Sequence, residues 1–234
     1  MRTAARRNLK DLLEYVIYKS GLEYDINSKN ENGATALLYA CAYDLPEMVR
    51  FLLRQPKIDV NICESKGYSS LMWAADLGNS DCVRELMRHL DLNINYHEGD
   101  GKTALIWAVD RGRSEVVKLL LESHHIDVNI KGDGYTALII AARSGFDRIV
   151  RMLISDERVN VNLQDDDGNA ALHSAIEFDR EKIVRMLLEH SDIDLTVKNG
   201  NGLAPKDLAF KWKGHNPRAK RIATAVGGRK ERKK

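Results

Sequence analysis

Aromatic side chains make up only 6% of the 234 residues. No window approaches the roughly 18 consecutive apolar residues that a membrane-spanning helix requires, so a membrane partner is not expected. Prolines number four, Pro46, Pro56, Pro205 and Pro217, each beside a helix start or a turn, and none forms part of a Pro-rich linker. Cysteines number three. Cys41 and Cys82 fall on apolar helical stripes and Cys63 in a connecting segment, the pattern of free thiols rather than a disulfide framework. No CxxC, HExxH or zinc-type Cys/His spacing occurs, and adjacent His124 and His125 point in different directions on any regular element, so no metal is expected. The phosphate-cradling glycine loop, the dinucleotide fingerprint and the nucleophile elbow are also missing, so no cofactor is expected. The basic start, Met1 to Arg7, runs into an amphipathic stretch from Leu9 to Ile17 without the apolar core of a signal peptide, which predicts an intracellular protein, cytoplasmic or nuclear.

A repeating unit dominates what remains. Gly33, Gly67, Gly101, Gly134, Gly168 and Gly202 are separated by 34, 34, 33, 34 and 34 residues. A short helical block follows five of them: Thr-Ala-Leu-Leu-Tyr-Ala from Thr35, Ser-Ser-Leu-Met-Trp-Ala from Ser69, Thr-Ala-Leu-Ile-Trp-Ala from Thr103, Thr-Ala-Leu-Ile-Ile-Ala from Thr136, and Ala-Ala-Leu-His-Ser-Ala from Ala170. Thr or Ser heads such blocks as an N-cap, its oxygen accepting from the first unpaired N–H groups. A second amphipathic block follows, with Met48-Val49 and Phe51-Leu52-Leu53 echoed around Val116, Ile149 and Ile183 at helical periodicity. Each unit closes with an extended segment such as Asp59-Val60-Asn61 or Asp127-Val128-Asn129.

The Gly-x-Thr-Ala-Leu-x-x-Ala blocks and their spacing resemble the ankyrin repeat, over essentially residues 29 to 212. That resemblance implies an all-α solenoid of helix-turn-helix units with β-turn fingers. It divides the chain into a capping helical repeat at 1–28, five repeats at about 29–62, 63–96, 97–129, 130–163 and 164–197, a C-terminal capping repeat beginning at 201–212, and a basic flexible tail at 213–234. Two departures stand out. The usual proline is Ala or Ser in every internal repeat, and each loop after the second helix carries one extra residue, as at Gln55-Pro56-Lys57-Ile58.

Ankyrin proteins generally bind through the concave face formed by finger tips and first helices, so the resemblance also implies a map of contact positions. On it fall Tyr39, Trp73 and Trp107 just before the aligned alanines, then Tyr43, Asp76, Asp110, Arg111, Arg143, Glu177, Phe178 and Trp212 just after them, with Tyr68 and Tyr135 at the tips. Aromatics this scarce, gathered on one side, suit the anchors of a binding surface; filling space between repeats is the competing role for Tyr39, Trp73 and Trp107. Asp76 and Asp110 each follow an indole by one helical turn, an arrangement suited to a cation and hence to a basic protein or peptide partner. The same residues allow an alternative, a small-molecule or catalytic groove with Asp76 or Asp110 as acid. His173 falls where the family carries a structural histidine. Residues 211–234 hold ten Lys or Arg and one acid, which leaves the body acidic and makes nucleic acid an unlikely partner. A monomer presenting an aromatic and acidic groove to a protein is the reading that results.

Overall fold

The computed structural model describes residues 25–97, 99–212 and 217–228. Most of the expected N-terminal cap, the fingertip residue Glu98 and the end of the basic tail lie outside the described residues. Among the described residues twelve helices fall into six pairs: α1 (Ala36–Ala42) with α2 (Pro46–Leu53), α3 (Ser70–Leu77) with α4 (Ser80–Leu86), α5 (Ala104–Asp110) with α6 (Ser114–Leu121), α7 (Ala137–Ser144) with α8 (Asp147–Ile154), α9 (Ala171–Glu177) with α10 (Glu181–Glu189), and α11 (Pro205–Trp212) with α12 (Pro217–Gly228). The hydroxyls of Thr35, Ser69, Thr103 and Thr136 accept from the backbone N–H of Leu38, Met72, Ile106 and Ile139, starting four of the first helices as the sequence predicts.

First helices stack on first helices along the chain, and second helices on second helices. Helices this short are marginal by themselves, so stability comes from the apolar layers they share. Leu37, Leu71, Leu105, Leu138 and Leu172 supply one buried side chain per repeat, and the alanines that follow let the helices approach. Cys41 and Cys82 are buried free thiols; burial lifts both, Cys82 to about 12 with help from nearby Asp44. Among the described residues two carboxylates are also buried, Glu85 and Asp165. Arg50 of α2 grips both oxygens of Glu85 on α4 at 2.7 and 3.1 Å and Arg88 adds a third bond, and this grip holds the Glu85 carboxyl below the ordinary carboxylate range.

The extended segments contain a ladder. Asn61 donates through Nδ2 to the Asp91 carbonyl at 2.7 Å and accepts at Oδ1 from the Asn93 N–H at 2.8 Å, both in the next repeat. Asn27, Asn95, Asn129 and Asn162 do the same, and each time the two bonds cross one repeat boundary. The longer loop after the second helix brings a carbonyl and an N–H within reach of one amide. Thr196 occupies the next position and ends the series.

Fingers follow these segments. In one, Lys131–Gly132 pairs antiparallel with Tyr135–Thr136, and isolated bridges Cys63–Ser69 and Gln164–Ala170 mark two others. Gly101 shows why the tips need glycine: its φ is +77°, and a Cβ there would lie 2.7 Å from the Lys131 carbonyl oxygen. Neighbouring tips are tied by backbone bonds, Asp133 N–H to Asp100 O and Gly200 N–H to Asp167 O, each at 2.7 Å.

The C-terminus departs from expectation. Residues 217–228, predicted as part of a flexible tail, form α12, which packs on α10 and α11 and completes a sixth helix pair. Ile222, Ala223 and Val226 are buried, and Arg221 pairs with Glu181 of α10 at 2.7 Å. Pro217 suits a first helical turn, and three apolar residues at helical spacing are enough when a prepared surface receives them.

Candidate functional site

The face built from first helices and fingers carries the expected positions in register, because one repeat period returns each side chain to the same helical phase. At its centre three rings form one tilted stack, each indole plane 41° from that of the phenol. Tyr68, from the second finger, lies between Trp73 of α3 and Trp107 of α5, with ring centroids 5.5 and 5.3 Å away. Trp73 and Trp107 are half-buried, and Trp73 Nε1 is buried without a hydrogen-bond partner. Trp107, set against Tyr68 of the preceding repeat and against the core, packs between repeats. Burial, with Asp100 and Asp76 adding charge repulsion, lifts the Tyr68 phenol above its ordinary value.

Cations of the same chain already occupy this stack. Lys102 Nζ sits 4.8 Å from the Trp107 ring centroid, and the Arg111 guanidinium carbon sits 5.8 Å from it. Lys102 pairs with Asp133 at 2.6 Å, and Arg111 Nε with Asp76 Oδ1 at 2.6 Å. Burial pulls the Lys102 ammonium down, but Asp133, Asp100 and Asp110 together outweigh it and leave its pKa raised. The hydrogen bond that Arg111 donates to Asp76 is the main reason the Arg111 pKa is raised. The seat expected for a partner's cation is thus filled from within, and Asp76 is held as one half of an ion pair. A cleft of about 370 Å³ remains between the second and third fingers, lined by Tyr68, Met72, Lys102 and Trp107 among others.

Two groups flank the centre. Towards the N-terminus, Tyr39 and Tyr43 stack with centroids 6.0 Å apart, and the Tyr39 hydroxyl accepts from Asn30 Nδ2 at 2.8 Å. Tyr43 is 63% exposed, and Leu77, its counterpart in the next repeat, 38%. Towards the C-terminus, the Arg143 guanidinium lies 4.9 Å from the Phe178 ring centroid and 5.7 Å from that of Tyr135. Arg180 Nε bonds the Arg143 carbonyl at 2.9 Å, fixing the end of α7. Asp110 and Glu177 are exposed on the adjacent repeats.

Not all of the expected row faces solvent. The positions aligned with Trp73 and Trp107 become half-buried Ile140 and then buried Ser174 and Leu208 towards the C-terminus. The Trp212 side chain lies outside the described residues. Asp76 and Asp110 do not form a carboxylate pair: Asp76 is taken by Arg111, and Asp110 stands exposed. His173 is fully buried, its Nδ1 accepting from the Ala170 N–H at 3.2 Å and its Nε2 contacting the Leu203 carbonyl at 3.1 Å. Burial lowers its pKa. It caps α9, where Ala170 has no hydroxyl, and so is structural. Composition gave no hint of Lys102 and Arg143 as ring-bound cations. The one available signal was spacing, with Lys102 shortly before Trp107 in its own repeat and Arg143 about one repeat before Phe178.

Among the described residues no helix is long and apolar enough to cross a membrane, and no cluster of His, Cys, Asp or Glu could hold a metal ion. Curated protein sequences yield no match. The fold is similar to two solved structures. One is the ankyrin repeat domain of Bcl-3, described as a unique member of the IkappaB protein family, with a TM-score of 0.80, 24% identity, and coverage of 97% of this chain and 95% of that one. The other is EF0377, an ankyrin repeat protein, with a TM-score of 0.76, 23% identity, and coverage of 88% and 100%. The family model for ankyrin repeats matches at residues 1–97, 46–132 and 129–199. With the helix pairs, the fingers and the 33- to 34-residue period all in place, the chain belongs to the ankyrin repeat family.

Proposed function

We propose that this chain is a monomeric protein-recognition module that holds a polypeptide segment along the face formed by its first helices and fingers. Ankyrin repeats are protein–protein interaction modules as a class. One observation carries the reading for this chain: of the six large apolar side chains left exposed among the described residues, Tyr39, Tyr43, Leu77 and Phe178 lie on that face. Exposed aromatics held on a rigid scaffold lose little entropy on binding, which is why such residues anchor interfaces. The ion pairs within the central stack make the partner segment mixed in charge rather than uniformly basic.

The test is affinity capture from native lysate with wild type and a Tyr43→Ser/Leu77→Ser variant, both shown by circular dichroism to be folded. A polypeptide retained by the wild type and lost by the variant is the expected result. Equal retention by both would place recognition elsewhere. Light scattering during size exclusion checks the monomer.

A further inference from the structure

Among the described residues Arg143 is the cation on this face that rings hold and no acid neutralises. Lys102 pairs with Asp133, Arg111 with Asp76, and Lys131 with Asp166, whereas among the described residues Arg143 has two aromatic neighbours and no ion-pair partner. Its side chain is exposed at the last turn of α7, whose end Arg180 secures. A guanidinium flanked by rings has already given up much of its rotamer freedom, yet keeps its in-plane N–H donors free at the edge. That edge matches the two oxygens of a carboxylate.

The neighbouring repeats set the rest of the pattern. The positions equivalent to Arg143 are Asp110 in the repeat before it and Glu177 in the repeat after it, both exposed, so successive repeats offer minus, plus, minus. Leu77, in the repeat before Asp110 and one residue past the equivalent Asp76, is exposed and apolar. Stacked helices lie about 8–10 Å apart. An extended chain advances about 3.3 Å per residue, so three residues span about one repeat.

We propose that this face reads an extended partner segment of the pattern basic-x-x-acidic-x-x-basic, with the acidic side chain seated on Arg143 between Tyr135 and Phe178. The basic residues lie against Asp110 and Glu177, and an apolar residue three positions further lies on Leu77. This rests on the recognition face proposed above and names the chemistry of its occupant. The charge pattern is symmetric, so either chain direction satisfies it.

The probe is an amidated, fluorescein-labelled peptide, Leu-Thr-Thr-Lys-Thr-Thr-Glu-Thr-Thr-Lys-Thr-Thr-Leu, compared by fluorescence anisotropy at low salt with an isomer in which Glu is moved two places towards one Lys. The in-register peptide should bind roughly tenfold more tightly, about the discrimination expected from one charge-assisted carboxylate contact. Arg143→Glu and Arg143→Gln should both erase that difference while keeping the wild-type circular dichroism spectrum. Equal binding of the two isomers, no measurable binding of either, or an undiminished difference in the Arg143 variants would overturn the proposal. Partner capture lost in Tyr43→Ser/Leu77→Ser but unchanged in Arg143→Glu would also overturn it while leaving the recognition face standing.

Discussion

Replacing Asn95 by Ala removes two hydrogen bonds across one repeat boundary, from Nδ2 to the His125 carbonyl and from the Asp127 N–H to Oδ1, both 2.8 Å. Net values near 0.5–1.5 kcal/mol for such bonds give a loss of about 1–3 kcal/mol. The site is half-buried, so water replaces part of what is lost and the lower half of that range is expected. Asn95→Asp is the sharper perturbation. It keeps the acceptor for Asp127 but sets a carboxylate oxygen where the amide donor faced the His125 carbonyl. At neutral pH it should therefore cost at least as much as Ala. Its deficit relative to wild type should shrink near pH 4, where a protonated carboxyl donates again. Urea unfolding followed by circular dichroism at 222 nm measures both, with the unfolding slope monitored because repeat arrays lose cooperativity when one boundary weakens. A loss below about 0.5 kcal/mol for both variants would refute the ladder as a stabilising element. The buried Ile94 and Val128 beside it would then hold the boundary alone.

Leu138→Ala, at a side chain 3% exposed in the middle of the stack, should lose about 2–5 kcal/mol in the same assay. His173 should impose a pH dependence. Its folded pKa is depressed by burial, so its contribution to stability is complete above the ordinary value of 6.5 and is lost as pH falls towards the folded value. Wild type should therefore lose more thermal stability than His173→Gln between pH 7 and 5, and parallel pH curves would contradict this. Deleting residues 217–234 should lower the melting midpoint by a few degrees more than deleting only 229–234, as the contacts of Ile222 and Val226 are lost. Identical midpoints for the two truncations would remove α12 from the folded stack.

The repeat was legible because its signals are local. A hydroxyl cap three residues before the N–H it serves, a glycine at a tip where φ is positive and apolar residues at helical spacing all act within one unit, and six copies average out their exceptions. The tail was misjudged for the same reason. Ile222, Ala223 and Val226 are too few for a convincing amphipathic pattern, and only packing on α10 and α11 makes them a buried layer. The Asn residues were visible as a recurring Asp-Val-Asn type segment, but their partners sit about 30 residues away.

Sequence alone determined the family, the period, the first five helix pairs and the list of residues carried on one face, since helical phase repeats with the period. Tertiary structure decided what those residues do. It set Trp73 and Trp107 around Tyr68, placed Lys102 and Arg111 on the expected cation seat, and left Arg143 between two rings with no countercharge among the described residues. Charge pairing and ring stacking depend on distances of 3–6 Å between side chains from neighbouring repeats. Rotamers and loop lengths set such distances, and periodicity does not encode them.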